Sequence, residues 1–371
     1  MSAPLLDRVR VYESVRTAHL ERAATLHPAS ILYRVRRYDF DADLADGLPL
    51  VPAGPLRTVR LLWGATPREL EVNEPLMLSA VPTAALAVAT VRLRNRFRRA
   101  RTRVVTYAIG NADPFVQAAD AARVGLKSRV RRRGETWLAR WVWARLDVVV
   151  FGTDGAREVY QRLLGPTTAR QLTVPALPSP CSCAAMEGGD AGTGPSAADR
   201  AGRVLFLGAL AERKGIEKVL RAWPEVRRQR PDARLRIVGK GALQDAVEAA
   251  AATDPTIEVL IDPPRARIHE ELAGAAVLVL PSQPSRTWRE QVGLPIVEAL
   301  AHGARVVTTT ETGLADWLTA HGHRVVDGHA DAADLATATV AALAAGPDPD
   351  EVRATLPSRD GRLAADDAMF G

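Results

Sequence analysis

Val277-Leu-Val-Leu-Pro-Ser282 and, a few residues on, Trp288-Arg-Glu-Gln-Val-Gly-Leu-Pro-Ile-Val-Glu298 decide how this chain of 371 residues is to be read. Four apolar residues in a row, closed by Pro-Ser, predict a short strand buried on both faces. Pro295 suits the first turn of a helix, where a missing N–H costs nothing. The spacing predicts that helix over Pro295–His302. Strand, loop and helix in this order form half of a parallel α/β unit.

The same alternation extends outward on both sides. Further strands are expected at Arg203–Gly208, Arg234–Gly239, Ile257–Ile261 and Arg305–Thr309, with helices at Gly215–Arg228, Ala242–Ala252 and Ala266–Ala275. Short, almost wholly apolar strands alternating with helices imply an α/β fold with a parallel sheet covered on both faces, a Rossmann-like domain. Ligands of such sheets bind where the strands end. The loops that matter then start at Gly208, Gly239, Ile261, Pro281 and Thr310.

The first half is less regular. Strands are expected at Val9–Glu13, Ile31–Arg36, Val59–Leu62, Glu69–Val72, Val104–Ile109, Val148–Gly152 and Leu172–Val174. Helices are expected at Thr17–Leu26, Met77–Arg99, Thr136–Leu146 and Gly155–Leu164. From Pro175 to Gly202 the chain is rich in Pro, Gly, Ala and Ser, which reads as a linker. The expected organisation is a first domain over 1–178, a linker over 179–202, a second domain over 203–346 and a tail over 347–371, which loses periodicity and either packs back on the first domain or stays loose.

The formal net charge is +6, and its cations are nearly all arginine, with lysine only at Lys127, Lys214, Lys218 and Lys240. Arginines crowd the first half, as in Arg92-Leu-Arg-Asn-Arg-Phe-Arg-Arg99 and Arg129-Val-Arg-Arg-Arg133. Such crowding attracts phosphate, anionic lipid or nucleic acid. The modest net charge and the lack of a recognisable module argue against nucleic acid. The Arg129–Arg133 run leads into Trp137-Leu-Ala-Arg-Trp-Val-Trp-Ala-Arg145, which suits either a helix on a membrane surface or one packing its tryptophans inward. Met1-Ser-Ala-Pro-Leu-Leu-Asp lacks a signal-peptide profile, and no run of about 18 uncharged apolar residues occurs. A cytoplasmic setting is expected, with room for peripheral membrane contact. Cys181 and Cys183 have no partner ligands nearby in sequence and read as incidental.

The chemistry gathers at strand ends. Glycine at 293 lets the backbone approach an anion, and the N–H groups of Gly293 and Leu294 open a helix whose dipole favours negative charge. Glu298, about one turn in, can accept hydrogen bonds from two adjacent ribose hydroxyls. Glu290 is left to meet a sugar. Gly208-Ala-Leu-Ala-Glu-Arg-Lys-Gly215 follows a strand and offers Lys214 as a point charge for a diphosphate. It is not a P-loop, because no Gly-Lys-Ser/Thr closes it. Gly239-Lys-Gly241 forms a third such turn. Asp41-Ala-Asp43 lies in an acidic, turn-like stretch from Asp39 to Asp46 and reads as a solvated loop rather than a metal site.

Glu290-x7-Glu298 around Gly-Leu-Pro, Gly208…Lys214-Gly215 and Gly239-x-Gly241, in this order over Arg203 to Leu343, resemble the family 4 retaining glycosyltransferases of GT-B architecture. The resemblance implies two Rossmann-like domains facing across a cleft. It implies transfer of a sugar from a nucleoside-diphosphate sugar, with no other cofactor and no metal, to an acceptor hydroxyl whose identity the sequence leaves open. It assigns Glu290 and Lys214 to catalysis and Glu298, Gly293, Leu294, Gly208, Arg213 and Gly239 to the donor. Ala209 departs from the family, which carries arginine there; Arg213 is the candidate to replace it. No histidine lies between His27 and His269 to serve the acceptor. Asn73, Glu74, Tyr107 and Asn111, near strand ends, are the acceptor-side candidates. A nucleotide-sugar epimerase and a catalytically silent binding partner are the alternatives.

Overall fold

The computed structural model describes residues 4–37, 40–98, 101–115, 126–180, 197–285, 288–346 and 348–370. Most of the linker and both cysteines lie outside these residues. The chain divides into two units, Met1–Pro175 with Arg362–Gly371, and Ala176–Gly361.

Unit 1 is built from β1 (Arg8–Val15), α1 (Thr17–Ala23), β2 (Ser30–Arg36), β3 (Leu50–Pro52), α2 (Pro55–Gly64), β4 (Glu69–Val72), α3 (Val81–Arg98), β5 (Arg103–Ala108), α4 (Leu126–Trp143), β6 (Val148–Phe151), α5 (Asp154–Leu164) and β7 (Arg170–Thr173). The strands form a parallel sheet in the order β3-β2-β1-β4-β5-β6-β7. Strand residues alternate between faces. Val104 and Val149 join a core with side chains of α2 to α5, while Val105, Val148 and Val150 face Ala365, Met369 and Phe370. Those last three belong to a C-terminal helix, Gly361–Phe370.

Val59–Leu62, expected as a strand, lies inside α2. Pro55 starts that helix, and Thr58 and Leu62 are its buried pair, four residues apart. Periodicity cannot separate a short apolar run in a helix from one in a strand. The strand before it, β3, was not expected. It holds a proline, which suits its place at the sheet edge.

Unit 2 contains α6 (Ala197–Arg200), β8 (Arg203–Leu207), α7 (Ile216–Gln229), β9 (Arg234–Gly239), α8 (Gln244–Thr253), β10 (Ile257–Ile261), α9 (Arg265–Gly274), β11 (Val277–Leu280), α10 (Leu294–Ala301), β12 (Arg305–Thr309), α11 (Ala315–Ala320), β13 (Arg324–Val326), α12 (Ala332–Ala344) and α13 (Pro349–Ala354). The C-terminal helix named above is α14. Its parallel sheet runs β10-β9-β8-β11-β12-β13. β8 has its successor β9 on one side and β11 on the other, so the strand order reverses between β8 and β11. Such a switch point opens a crevice at the strand ends. Unit 1 has its own between β1 and β4. The segment after Pro347 forms two helices, of which α13 contributes Val352 to the core of unit 2.

Candidate functional site

The loop after β8 and the loop after β11 meet at the switch point of unit 2. Residues Glu212–Lys214 form one 3-10 turn, closed by Gly215 in the left-handed region (φ 75°). A Cβ on Gly215 would stand 2.0 Å from the Pro281 carbonyl oxygen. No side chain fits there, so the two loops lie backbone to backbone. The Gln283 N–H donates to the Arg213 carbonyl at 2.9 Å and fixes the pairing.

This contact brings Lys214 and Glu290 together. The Lys214 ammonium donates to the Glu290 carboxylate, and both residues are buried. Ser282 Oγ donates to the same oxygen, Oε2, at 3.1 Å. Glu290 itself is held by a bridge to Thr312, and its carbonyl accepts from Gly313 N–H at 3.2 Å. Sequence reasoning quoted Trp288 but gave it no role. Its indole lies 4.6 Å from the Arg213 guanidinium carbon and 5.0 Å from Lys214 Nζ, measured to the ring centroid. Cations stacked on an aromatic face are held there by its quadrupole. A tryptophan two residues before a candidate acid was the signal that could have found it.

Gly208 and Gly239 end their strands side by side. The Gly208 N–H donates to the Val238 carbonyl at 3.0 Å, and Leu210 N–H to the Lys240 carbonyl at 3.0 Å. A Cβ on Gly239 would overlap the Gly208 carbonyl oxygen at 1.8 Å. The need for glycine there comes from the approach of the two loops to one another.

Gly293 (φ 84°) caps α10, and Leu294 and Pro295 open it. Among the described residues, the N–H groups of Gly293 and Leu294 find no protein acceptor. Open N–H groups at a helix start favour a negative charge. Glu298 lies further along α10 and is ion-paired with Arg265 at the start of α9. His302 Nδ1–H donates to the Glu298 carbonyl at 2.7 Å. Burial lowers the pKa of His302 to about 4 despite that bond, so it is neutral at pH 7. The structure thus joins Lys214 to Glu290 and gives Glu298 a different partner.

The acceptor-side candidates sit in unit 1 with partners of their own. Asn73 Oδ1 accepts from Glu13 N–H at 2.7 Å and bridges the β1/β4 switch point. Glu74 Oε2 accepts from Ile109 N–H (3.1 Å), Gly110 N–H (2.9 Å) and the Tyr160 hydroxyl (2.9 Å). Desolvation raises the Glu74 pKa above the usual carboxylate value although these donors oppose it. Asn111 is buried just after β5. Tyr107 lies under the Arg362 guanidinium, 4.8 Å away, on the side of the sheet that α14 covers. Asp41 and Asp43 form a local turn, Asp43 N–H donating to Asp41 Oδ1 at 2.9 Å. Among the described residues no cluster of three or more His, Cys, Asp or Glu is placed to hold a metal.

Residues 201–345 match the model of the family described as Glycosyl transferases group 1. That stretch, inside the second unit, is similar to a glycosyl transferases group 1 domain. No curated protein matches the chain. Solved structures similar to the whole chain include the apo form of the lipopolysaccharide outer core galactosyltransferase WaaB, with a TM-score of 0.65 at 12% identity, covering 98% of this chain and 97% of that one. Anabaena Alr3699/HepE in complex with UDP gives a TM-score of 0.63 at 12% identity, over 98% and 95%. WaaG, a glycosyltransferase involved in lipopolysaccharide biosynthesis, gives 0.59 at 18% identity, over 98% and 100%. At such identities the likeness shows the fold, which is GT-B, with the matched segment in its second unit.

Proposed function

We propose that this chain is a retaining glycosyltransferase that moves a sugar from a nucleoside-diphosphate sugar to an acceptor hydroxyl. The observation that carries the reading is the buried Lys214–Glu290 pair at the β8/β11 switch point, beside the open N–H groups of α10. HepE, a neighbour solved with UDP, supports trying a uridine nucleotide first.

In this reading the bond from sugar C1 to the diphosphate oxygen breaks and the acceptor oxygen bonds to C1 on the same face. The acceptor proton passes to the departing phosphate. Negative charge grows on the diphosphate as it leaves, so cations and N–H dipoles already in place stabilise the transition state more than the ground state. Lys214 and the first N–H groups of α10 supply them, with Arg213 in the role that Ala209 cannot fill. Lys214 exchanges Glu290 for phosphate oxygens, which frees that carboxylate to accept from sugar hydroxyls. Glu298 turns from Arg265 to the ribose. These cations neutralise the leaving group by themselves, so the proposal includes no metal. Loss of activity with a chelator, restored by manganese, would overturn that part. We place the enzyme in the cytoplasm, with peripheral contact to a membrane.

The test is a thermal-shift screen of nucleoside diphosphates and their sugars, followed by product analysis. A ligand bound only by the native state raises the melting temperature. One nucleotide should stand out, and its sugar should appear on an added acceptor with the α or β configuration it had in the donor. Conversion of the sugar without any acceptor would identify an epimerase, and no shift with any nucleotide would end the proposal.

A further inference from the structure

The outer surface of three helices in unit 1 has the wrong composition for contact with water alone. α3 packs against both α2 and α4. Arg94 locks the first of these contacts from inside, donating to the Leu62 carbonyl at 3.0 Å. Helix α3 is apolar on its inner side, where Ala84, Val88 and Val91 are buried. It also carries an apolar stripe outside, Pro82, Leu86, Ala89, Leu93 and Phe97, flanked at its end by the exposed Arg96 and Arg98. Phe97 is 71% exposed and Leu93 49%. A helix with apolar side chains on both its inner and its outer side calls for cover on both.

The neighbouring helices frame this stripe with mixed ones. Leu56, Arg60 and Trp63 lie exposed on α2, with Leu56 at 82%. Val130, Arg133, Trp137 and Arg140 lie exposed on α4, with Val130 and Trp137 each at 62%. Over α2, α3 and residues 130–143 there are ten arginines and one acid, Glu135, which already pairs with Arg131. Among the described residues Arg57, Arg60, Arg96 and Arg133 have no ion-pair partner. With a net charge of +6 for the whole chain, the remainder is net acidic.

We infer that the α2–α3–α4 face docks on the surface of an anionic lipid bilayer. A bilayer supplies in one plane both things this face lacks: an apolar layer for Leu93, Phe97 and Trp137, and phosphate headgroups for the arginines. A second copy meeting the same face would set arginine against arginine. The inference goes beyond the sequence, which pointed to one helix, and it does not depend on the transferase reading. Its residues belong to unit 1, Lys214 and Glu290 to unit 2.

Flotation of the full chain with vesicles tests it. Vesicles of phosphatidylcholine containing phosphatidylglycerol should carry the chain, vesicles of phosphatidylcholine alone should not, and raised salt should release it. The double variant Leu93→Ser/Phe97→Ser and, separately, the triple variant Arg57→Gln/Arg60→Gln/Arg133→Gln should each weaken binding at least about tenfold. All these positions are exposed, so melting temperature and nucleotide response should stay as in the parent, and either variant alone suffices for the test. The inference falls if anionic vesicles do not bind at low salt, if neutral vesicles bind equally, or if both variants bind as the parent does. It also falls if the parent is a dimer that Leu93→Ser/Phe97→Ser turns into a monomer, which would give this face to a second copy.

Discussion

The two sheets repeat one topological device and use it differently. In unit 2 the β8/β11 switch point holds a lysine and a glutamate paired to each other in a crevice, with a tryptophan over the lysine and helix N–H groups left open. In unit 1 the β1/β4 switch point is bridged by Asn73, and the neighbouring Glu74 spends its Oε2 on two backbone N–H groups and a phenol. Both places hold a carboxylate largely withdrawn from water, Glu290 buried and Glu74 half-buried. In unit 2 its partner is a lysine side chain, which in our proposal an incoming anion takes over; in unit 1 its partners are two backbone N–H groups and a phenol. A buried acid therefore says little until its partners are known.

A second contrast lies within unit 1. Arg10 pairs with Glu71, its neighbour across β1 and β4, and with Asp366 on α14; Arg362 pairs with Glu71 as well. These charges are as buried as Lys214 and Glu290, but they face a helix and neutralise one another. They fasten the C-terminal residues to unit 1.

The largest effect expected is on folding. Glu74→Ala removes the acceptor of the Ile109 and Gly110 N–H groups and of the Tyr160 hydroxyl, at about 1–2 kcal/mol for each donor largely withdrawn from water. Denaturant unfolding should show roughly 3–5 kcal/mol lost, with nucleotide affinity of the folded protein unchanged. A small loss would mean that water or a ligand normally reaches this carboxylate, and would make the two switch points more alike.

Lys214→Ala should lower turnover about a hundredfold or more, the equivalent of about 3 kcal/mol of transition-state stabilisation. Single-turnover release of the nucleoside diphosphate, corrected for the folded fraction, measures it. A near-normal rate would strip the unit 2 crevice of its proposed chemistry.

The units should also respond to pH in opposite senses. Burial lowers the pKa of His323 to about 4, and its Nδ1 accepts from Val306 N–H at 3.2 Å, a bond that needs the neutral ring. The unfolded state binds this proton first, so unit 2 is stabilised above about pH 6.5 and loses that stability as pH falls toward about 4, on the order of 3 kcal/mol. His302 acts in the same direction. Glu74, with its pKa raised, works the other way: unit 1 loses stability as pH rises through the folded-state value. Unfolding of His323→Gln followed against pH should show a shallower acid limb; an unaltered limb would mean that this ring does not control it.

The smallest effect belongs to Trp288. Trp288→Ala removes a cation–π contact to Arg213 and Lys214 worth about 1–2 kcal/mol. Isothermal titration should show diphosphate affinity falling roughly tenfold, with Trp288→Phe keeping part of it. Equal affinity in parent and Trp288→Ala would reduce the indole to packing.

Much of unit 2 was legible because its strands are buried on both faces and bounded by glycine or Pro-Ser. Runs such as Val277–Leu280 leave little choice of structure. Unit 1 was less legible at its edges: Val59–Leu62 is apolar enough for a strand but sits behind Pro55 in a helix, and β3 is a three-residue edge strand with a proline. The membrane-facing reading was half visible, since the Trp137 stretch shows its own arginines but not that α3 beside it is apolar outward. The pairing of Lys214 with Glu290 was not legible at all. Both residues were candidates, but 76 positions separate them, and their loops are joined by the approach of Gly215 to Pro281 and the Gln283 N–H bond to the Arg213 carbonyl.

The order of elements, the glycine-bounded loops and the acids before and within α10 were settled by the chain itself, because local propensity and the burial pattern depend on near neighbours in sequence. Which charges neutralise each other, and which carboxylate braces backbone N–H groups and which meets a lysine, were settled only by the packed fold. Those outcomes depend on distances between residues far apart in the chain and on the removal of water from around them.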